Sequence, residues 1–196
     1  MRNKMEKALR DACTLLGTVL ADTTTASTMA QCAELLAKTF QQGNKVIICG
    51  NGGSATDAMH FAEEFTGRFR GNRPPLPAIA LSDPSHITCV ANDFGFDEIF
   101  SRGVEAFGKP GDVFIGLSTS GNSANVIRAV EAAHRGKMHT IALLGKDGGA
   151  LKNRCELEFV IPGTTSDRIQ EIHMLLLHSI IEGVERILFP DNYQDA

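Results

Sequence analysis

Five short apolar runs constrain this chain more than any other feature: Val46–Cys49, Ala78–Leu81, Val113–Leu117, Thr140–Leu144 and Leu157–Ile161. Each is nearly continuous in apolar residues and is followed by Gly, Ser or Pro. Amphipathic segments alternate with them, and Asp57–Phe69, Ala124–Arg135 and Asp167–Leu188 read most clearly as helices. A strand without polar alternation is one buried on both faces, and strands that alternate with helices form a parallel sheet covered on both sides. The expected fold is therefore α/β: a three-layer α/β/α sandwich around a five-stranded parallel sheet. At 196 residues the chain is the right size for one such domain, 1–196. The first forty residues read instead as two helices. Met5, Leu9, Ala12, Leu16 and Val19 recur at helical spacing, as do Met29, Cys32, Leu36 and Phe40. This N-terminal helical pair, residues 1–42, is expected to pack against its copy in another subunit.

Composition excludes several functions. The net charge of −4 argues against a nucleic-acid binder that depends on a basic surface. With no Trp and one Tyr, there is no platform for stacking bases. No apolar run reaches the ~18 residues of a membrane span, so no membrane partner is expected. The five cysteines form no CxxC pair, and the N-terminal segment lacks the pattern of a signal peptide. The expected compartment is the cytoplasm.

In open α/β sheets ligands sit beyond the carboxyl ends of the strands. After the first run comes Cys49-Gly50-Asn51-Gly52-Gly53-Ser54, a turn in which Ser54 is expected to cap the next helix. After the third comes Ser118-Thr119-Ser120-Gly121-Asn122-Ser123, with four hydroxyls at a helix start. Hydroxyls and free amides can hold a phosphate monoester without a lysine, and neither loop contains Lys or Arg. A tight turn without a ligand is the alternative for the first loop, and a well-capped turn for the second. Asn92-Asp93-Phe94-Gly95 can offer an amide and a carboxylate to sugar hydroxyls, or be an ordinary turn. His60 and Glu64 stand at i and i+4, the spacing for a shared metal or a coupled acid–base pair, or for a solvated helix face. Glu63 lies about 100° round the helix, so one of the two glutamates points inward. Gln170 and His178 lie on the last helix, roughly 12 Å apart along its axis, so a common metal would require Gln170 to extend towards it. His178 sits among apolar residues and is expected to be partly buried, or else to be a core histidine. His173 has no assigned role. His86, His134 and His139 form no constellation.

Taken together, CGNGGSA, DAMHFAEE, ANDFG, STSGNSANV and DRIQEIH…H resemble the sugar isomerase (SIS) domain family, and within it the phosphoheptose isomerases. The resemblance spans nearly the whole chain. It implies a flavodoxin-like SIS fold, and an aldose–ketose isomerase converting sedoheptulose 7-phosphate to D-glycero-D-manno-heptose 7-phosphate at the start of ADP-heptose synthesis for lipopolysaccharide. It implies a sugar site of Asn51, Gly52, Gly53, Glu64, Asn92, Asp93 and Gln170, and a phosphate site of Ser118, Thr119, Ser120 and Ser123. Glu64 and His178 would be the catalytic pair. One zinc ion per subunit would be held by His60, Glu64, Gln170 and His178. A homotetramer with sites at subunit interfaces is also implied. Ser54-Ala55-Thr56-Asp57 departs from the Ser-His-Cys-Asp of some members without losing an implied ligand. The alternative is a non-catalytic SIS protein that binds the replication initiator DnaA. That group lacks the carboxylate and imidazole that Glu64 and His178 supply here.

Overall fold

A computed structural model describes residues 1–194. Five parallel strands, β1 (Val46–Gly50), β2 (Ala78–Ala80), β3 (Val113–Ser118), β4 (His139–Gly145) and β5 (Leu157–Ile161), form one sheet in the order β2-β1-β3-β4-β5. This is the flavodoxin-like order, with its switch point between β1 and β3. Val46 pairs with Val113 and Gly50 with Leu117, so the loops leaving β1 and β3 start side by side. All of β1 and β3 is buried, as their apolar runs require. Alternate residues serve opposite layers: Val46, Ile48, Ile115 and Leu117 join one core, and Ile47, Cys49 and Phe114 the other.

The helices are α1 (Arg2–Ala21), α2 (Thr25–Gln41), α3 (Gly53–Thr66), α4 (Pro84–Phe94), α5 (Ser101–Phe107), α6 (Ala124–Arg135) and α7 (Ser166–Leu188). Buried residues of α2, α3 and α7 pack on one face of the sheet, and those of α4, α5 and α6 on the other. The N-terminal pair therefore divides. Cys32, Leu36, Ala37 and Phe40 of α2 are core, so this helix completes a layer of its own chain. In α1 only Leu15 and Val19 are buried, while Met5, Leu9, Leu16 and Leu20 face outward. Of the pair expected to pack against another subunit, α2 thus packs on its own sheet, and α1 alone keeps an outward apolar face.

Two local expectations also fail. Ser54 does not cap α3: Gly52 is the cap residue, and Ser54 lies buried inside the first turn. Residues 92–94 are not a turn but the end of α4. That helix starts on a real signal, Asp83 accepting from the His86 amide at 2.8 Å with Pro84 behind it. The helix read as Asp57–Phe69 begins earlier and stops at Thr66, leaving Phe69 in the following loop.

Candidate active site

The loop after β3 is a compact set of hydroxyls. Ser118 is buried at the strand end, with its Oγ 3.0 Å from Ser123 Oγ. Ser120 Oγ accepts from the Asn122 amide at 3.1 Å, and Thr119 Oγ1 lies 3.1 Å from Ser166 Oγ at the start of α7. The opening amides of α6 stand directly behind this loop, giving a concave, hydroxyl-rich surface suited to an anion. A second loop, 145–151, backs it. Asn122 Oδ1 accepts from the Ala150 amide at 2.9 Å, and Leu151 N donates to Gly121 O at 3.0 Å. Gly121 has φ +64°, and a Cβ there would lie 1.8 Å from Gly148 O.

The turn after β1 is tied to the same region. The carboxamides of Asn51 and Asn125 bond reciprocally at 2.9 Å. This pair ties the turn after β1 to the start of α6. Gln170 Nε2 donates to Ser54 Oγ at 3.3 Å, and a Cβ on Gly53 would fall 2.5 Å from Gln170 Oε1. Glycine at 53 is what admits the glutamine. Asn92 and Asp93 are exposed and bond each other at 2.7 Å.

A cluster forms where α3 meets α7. Glu64 is buried, and its Oε1 lies 3.4 Å from His60 Nε2 and 3.5 Å from His178 Nε2. Glu63 is exposed, as the helical rotation required. Phe69 stacks on the His178 ring with centroids 5.9 Å apart. Burial raises the Glu64 carboxyl above the ordinary carboxylate value, against the opposing pull of His178 and then His60. Asp57, one turn before His60, has a buried, unpartnered Oδ2, and burial lifts its carboxyl to about 6 against the pull of His60. Neither Asp57 nor Phe69 stands out in the sequence as a candidate site residue. A lone Asp and a lone Phe near a helix carry no pattern that would mark them. His173 is a core histidine, fully buried, with Nε2 on Leu144 O at 3.0 Å. His86, His134 and His139 make separate contacts with Ile99 O, Thr140 and Glu156.

His60, Glu64 and His178 offer ligand atoms all within 4.8 Å of one another, and are the group of this kind found among the described residues. A metal bound at about 2.0–2.2 Å in tetrahedral geometry needs neighbouring ligand atoms roughly 3.4 Å apart. The 3.4 and 3.5 Å separations match that edge, the N/N/O donor set suits zinc, and Glu64 Oε2 is buried without a partner. The three residues fit the ion. Gln170 is not brought to them. Its carboxamide rests on Gly53, which precedes His60 by seven residues, about 10 Å of helix. Glu64 is eleven residues past Gly53, about 16 Å along α3. The cluster thus stands on the α3/α7 layer, away from the carboxyl ends of the strands.

A doubly wound α/β chain with a hydroxyl-lined loop at the strand ends and a separate imidazole–carboxylate cluster has the layout of a ligand-binding α/β protein. The SIS domain family matches residues 12–145. The chain is 69% identical over 161 residues to a phosphoheptose isomerase of Fusobacterium nucleatum, covering 82% of this chain and 83% of the relative. The solved phosphoheptose isomerase GmhA of Neisseria gonorrhoeae superposes with a TM-score of 0.85 at 40% identity, over 94% of this chain and 98% of that one. A phosphoheptose isomerase from Francisella tularensis gives 0.89 at 36%, over 94% and 97%. The chain belongs to the SIS domain family, within its phosphoheptose isomerase branch.

Proposed function

We propose that the chain is an aldose–ketose isomerase that converts sedoheptulose 7-phosphate to D-glycero-D-manno-heptose 7-phosphate through an enediol, the entry to ADP-heptose and lipopolysaccharide core synthesis. The observation that carries this reading is Glu64, buried and held between two imidazoles, in a chain so similar to phosphoheptose isomerases. The reaction takes a proton from C1, returns it to C2, and moves a hydroxyl proton between O1 and O2. A carboxylate whose proton affinity is raised by burial is a better base near neutral pH. Glu64 Oε2, free of any partner, is the atom for the carbon-bound proton, and the His178 imidazole opens the ring and serves the hydroxyls. His60, Glu64 and His178 would hold zinc, which when bound polarises the sugar oxygens. Gln170, with Gly52 and Gly53, is assigned to the sugar, together with Asn51, Asn92 and Asp93. Ser118, Thr119, Ser120 and Ser123 take the phosphate.

The whole chain acts as one SIS domain in a cytoplasmic homotetramer. The outward stripe of Met5, Leu9, Leu16 and Leu20 on α1 supports self-association. No helix of the described residues is long and apolar enough to cross a membrane. Spacing along α3 supports a site shared between copies. A seven-carbon sugar phosphate has eight bonds from C1 to phosphorus and spans about 10 Å. The cluster and the loops at the head of α3 in one chain are separated by about 10–16 Å of helix. The DnaA-binding alternative leaves the Glu64–His178 pair without a purpose. Incubation with sedoheptulose 7-phosphate, followed by NMR for the aldose, is expected to show conversion that a chelator abolishes and zinc restores. No aldose at any zinc loading would reject the proposal.

A further inference from the structure

The segment that follows α3 runs along α7 in register. Phe69 stacks on His178, Arg70 Nη2 lies 2.9 Å from Glu182 Oε2, and Arg73 Nε donates to Glu185 Oε1 at 2.8 Å. The last of these contacts differs from the others: the side chains of Arg73 and Glu185 are both fully buried. The rest of the Arg73 guanidinium is spent on backbone. Nη2 donates to Glu64 O, and Nη1 donates to Phe65 O, to Gly67 O at 3.3 Å and to Pro74 O at 3.2 Å. Tyr193 OH closes the network on Glu185 Oε2 at 2.7 Å.

Two features make this more than a buried ion pair. The final carbonyls of a helix have no partner within it, and α3 has no basic residue in its last turn. Arg73 supplies donors to two of these carbonyls, those of Phe65 and of Glu64 itself, and a cation at the negative end of the helix. On the other side, Glu185 follows His178 by seven residues, two turns later and within about 20° of the same helix face. One rigid, forked group therefore links the backbone of the buried carboxylate to the helix that carries its imidazole partner. Its charge-assisted bonds are short and directional, so they fix position more strictly than apolar contact does.

We propose that Arg73 and Glu185, closed by Tyr193, are positioning residues that set Glu64 against His178 and so define the geometry of the proton-transfer and zinc cluster. The inference rests on the functional reading above. It is tested on the full-length protein by zinc affinity, from competition with a chromogenic chelator on the stripped enzyme, together with kcat, KM and thermal melting. Groups that orient metal ligands from outside typically change metal affinity by 10–100-fold when altered. Glu185→Gln, which leaves Arg73 unpaired, is expected to weaken zinc binding by that factor and to lower kcat while KM for the sugar phosphate stays within twofold. Tyr193→Phe, which removes one hydroxyl and keeps both charges, is expected to do the same more weakly. The control is Asp112→Asn. Asp112 is a fully buried carboxylate just before β3, bonded to Lys45 and to the Lys109 amide and to no residue of α3 or α7. It is expected to lower the melting temperature and leave zinc affinity and kcat unchanged. If Glu185→Gln behaves like Asp112→Asn, the clamp is structural only and the inference falls. If Glu185→Gln does not fold, unchanged zinc affinity and kcat in folded Tyr193→Phe overturn it. A wild-type protein that takes up no zinc defeats the metal reading alone, and the kcat-against-KM split then decides the clamp.

Discussion

Glu64, His178 and His173 can be told apart by substitution, because the structure gives each a different environment. Glu64→Gln keeps the shape and removes the base, and kcat is expected to fall about 10²–10⁴-fold, as loss of general base catalysis typically costs. His178→Gln is expected to lose activity as well. His173→Gln is expected to keep kcat in the folded protein, since His173 bonds Leu144 O inside the core. Steady-state kinetics beside metal content and melting distinguish the three, and near-normal kcat in Glu64→Gln would remove the proton-transfer assignment. His173 also predicts a pH dependence of stability. Burial holds its pKa down at about 4, against 6.5 for a free imidazole. Between those values the unfolded chain binds a proton that the folded chain refuses. The contribution is therefore whole above pH 6.5 and lost as pH falls through the window, about 3 kcal/mol in all. Melting curves from pH 7 to 4.5 should show a steeper decline for wild type than for His173→Gln.

Elements were legible where periodicity and burial agree. Helix α6 matches its sequence reading at both ends, and the apolar runs all become strands, because continuous apolarity leaves few alternatives. The errors fall at element ends. Ser54 has the chemistry of a cap, but the chain enters α3 two residues earlier, and the hydroxyl is needed by Gln170. Asn92 and Asp93 look like turn residues, yet the Asp83-Pro84 start carries the helix through them. The hydroxyl loop after β3 depends on a contact no local pattern announces, the close approach of Gly121 to Gly148. Gly121→Ala strains a positive φ and forces the 145–151 loop away. It is expected to raise KM for the sugar phosphate tenfold or more and to lower the melting temperature, with kcat less affected. Unchanged KM in the folded variant would mean that the phosphate binds elsewhere.

At the scale of the whole molecule, a site shared between copies makes a test that a self-contained site cannot pass. Glu64→Gln damages the cluster, and Ser118→Ala with Ser120→Ala damages the hydroxyl loop. Each variant alone is expected to be poorly active, the second mainly through KM. When the two are unfolded and reassembled together, some sites combine an intact cluster from one chain with an intact loop from another. Activity above the sum of the separate variants is the expected result. Additive activity in a verified mixed oligomer would place both parts in one chain, and a monomer by light scattering would remove the shared site outright.

What the sequence by itself determined was the sheet, its parallel sense and the residue types of the site. Those follow from local rules: apolar runs of strand length, helical spacing, and hydroxyls and glycines at strand ends. The i, i+4 pairing of His60 with Glu64 and the inward turn of Glu64 over Glu63 belong to the same class, because helix geometry alone sets them. Tertiary structure decided which distant groups meet. It brought His178 to Glu64 and kept Gln170 on Gly53, because α7 packs alongside α3 and each of its turns faces a different turn of that helix. It buried Arg73 against Glu185 across 112 residues of chain. It also drew α2 into the core while leaving the apolar stripe of α1 outside. Such pairings depend on how helices pack across a layer, and that is a property of the folded whole that no window of sequence encodes.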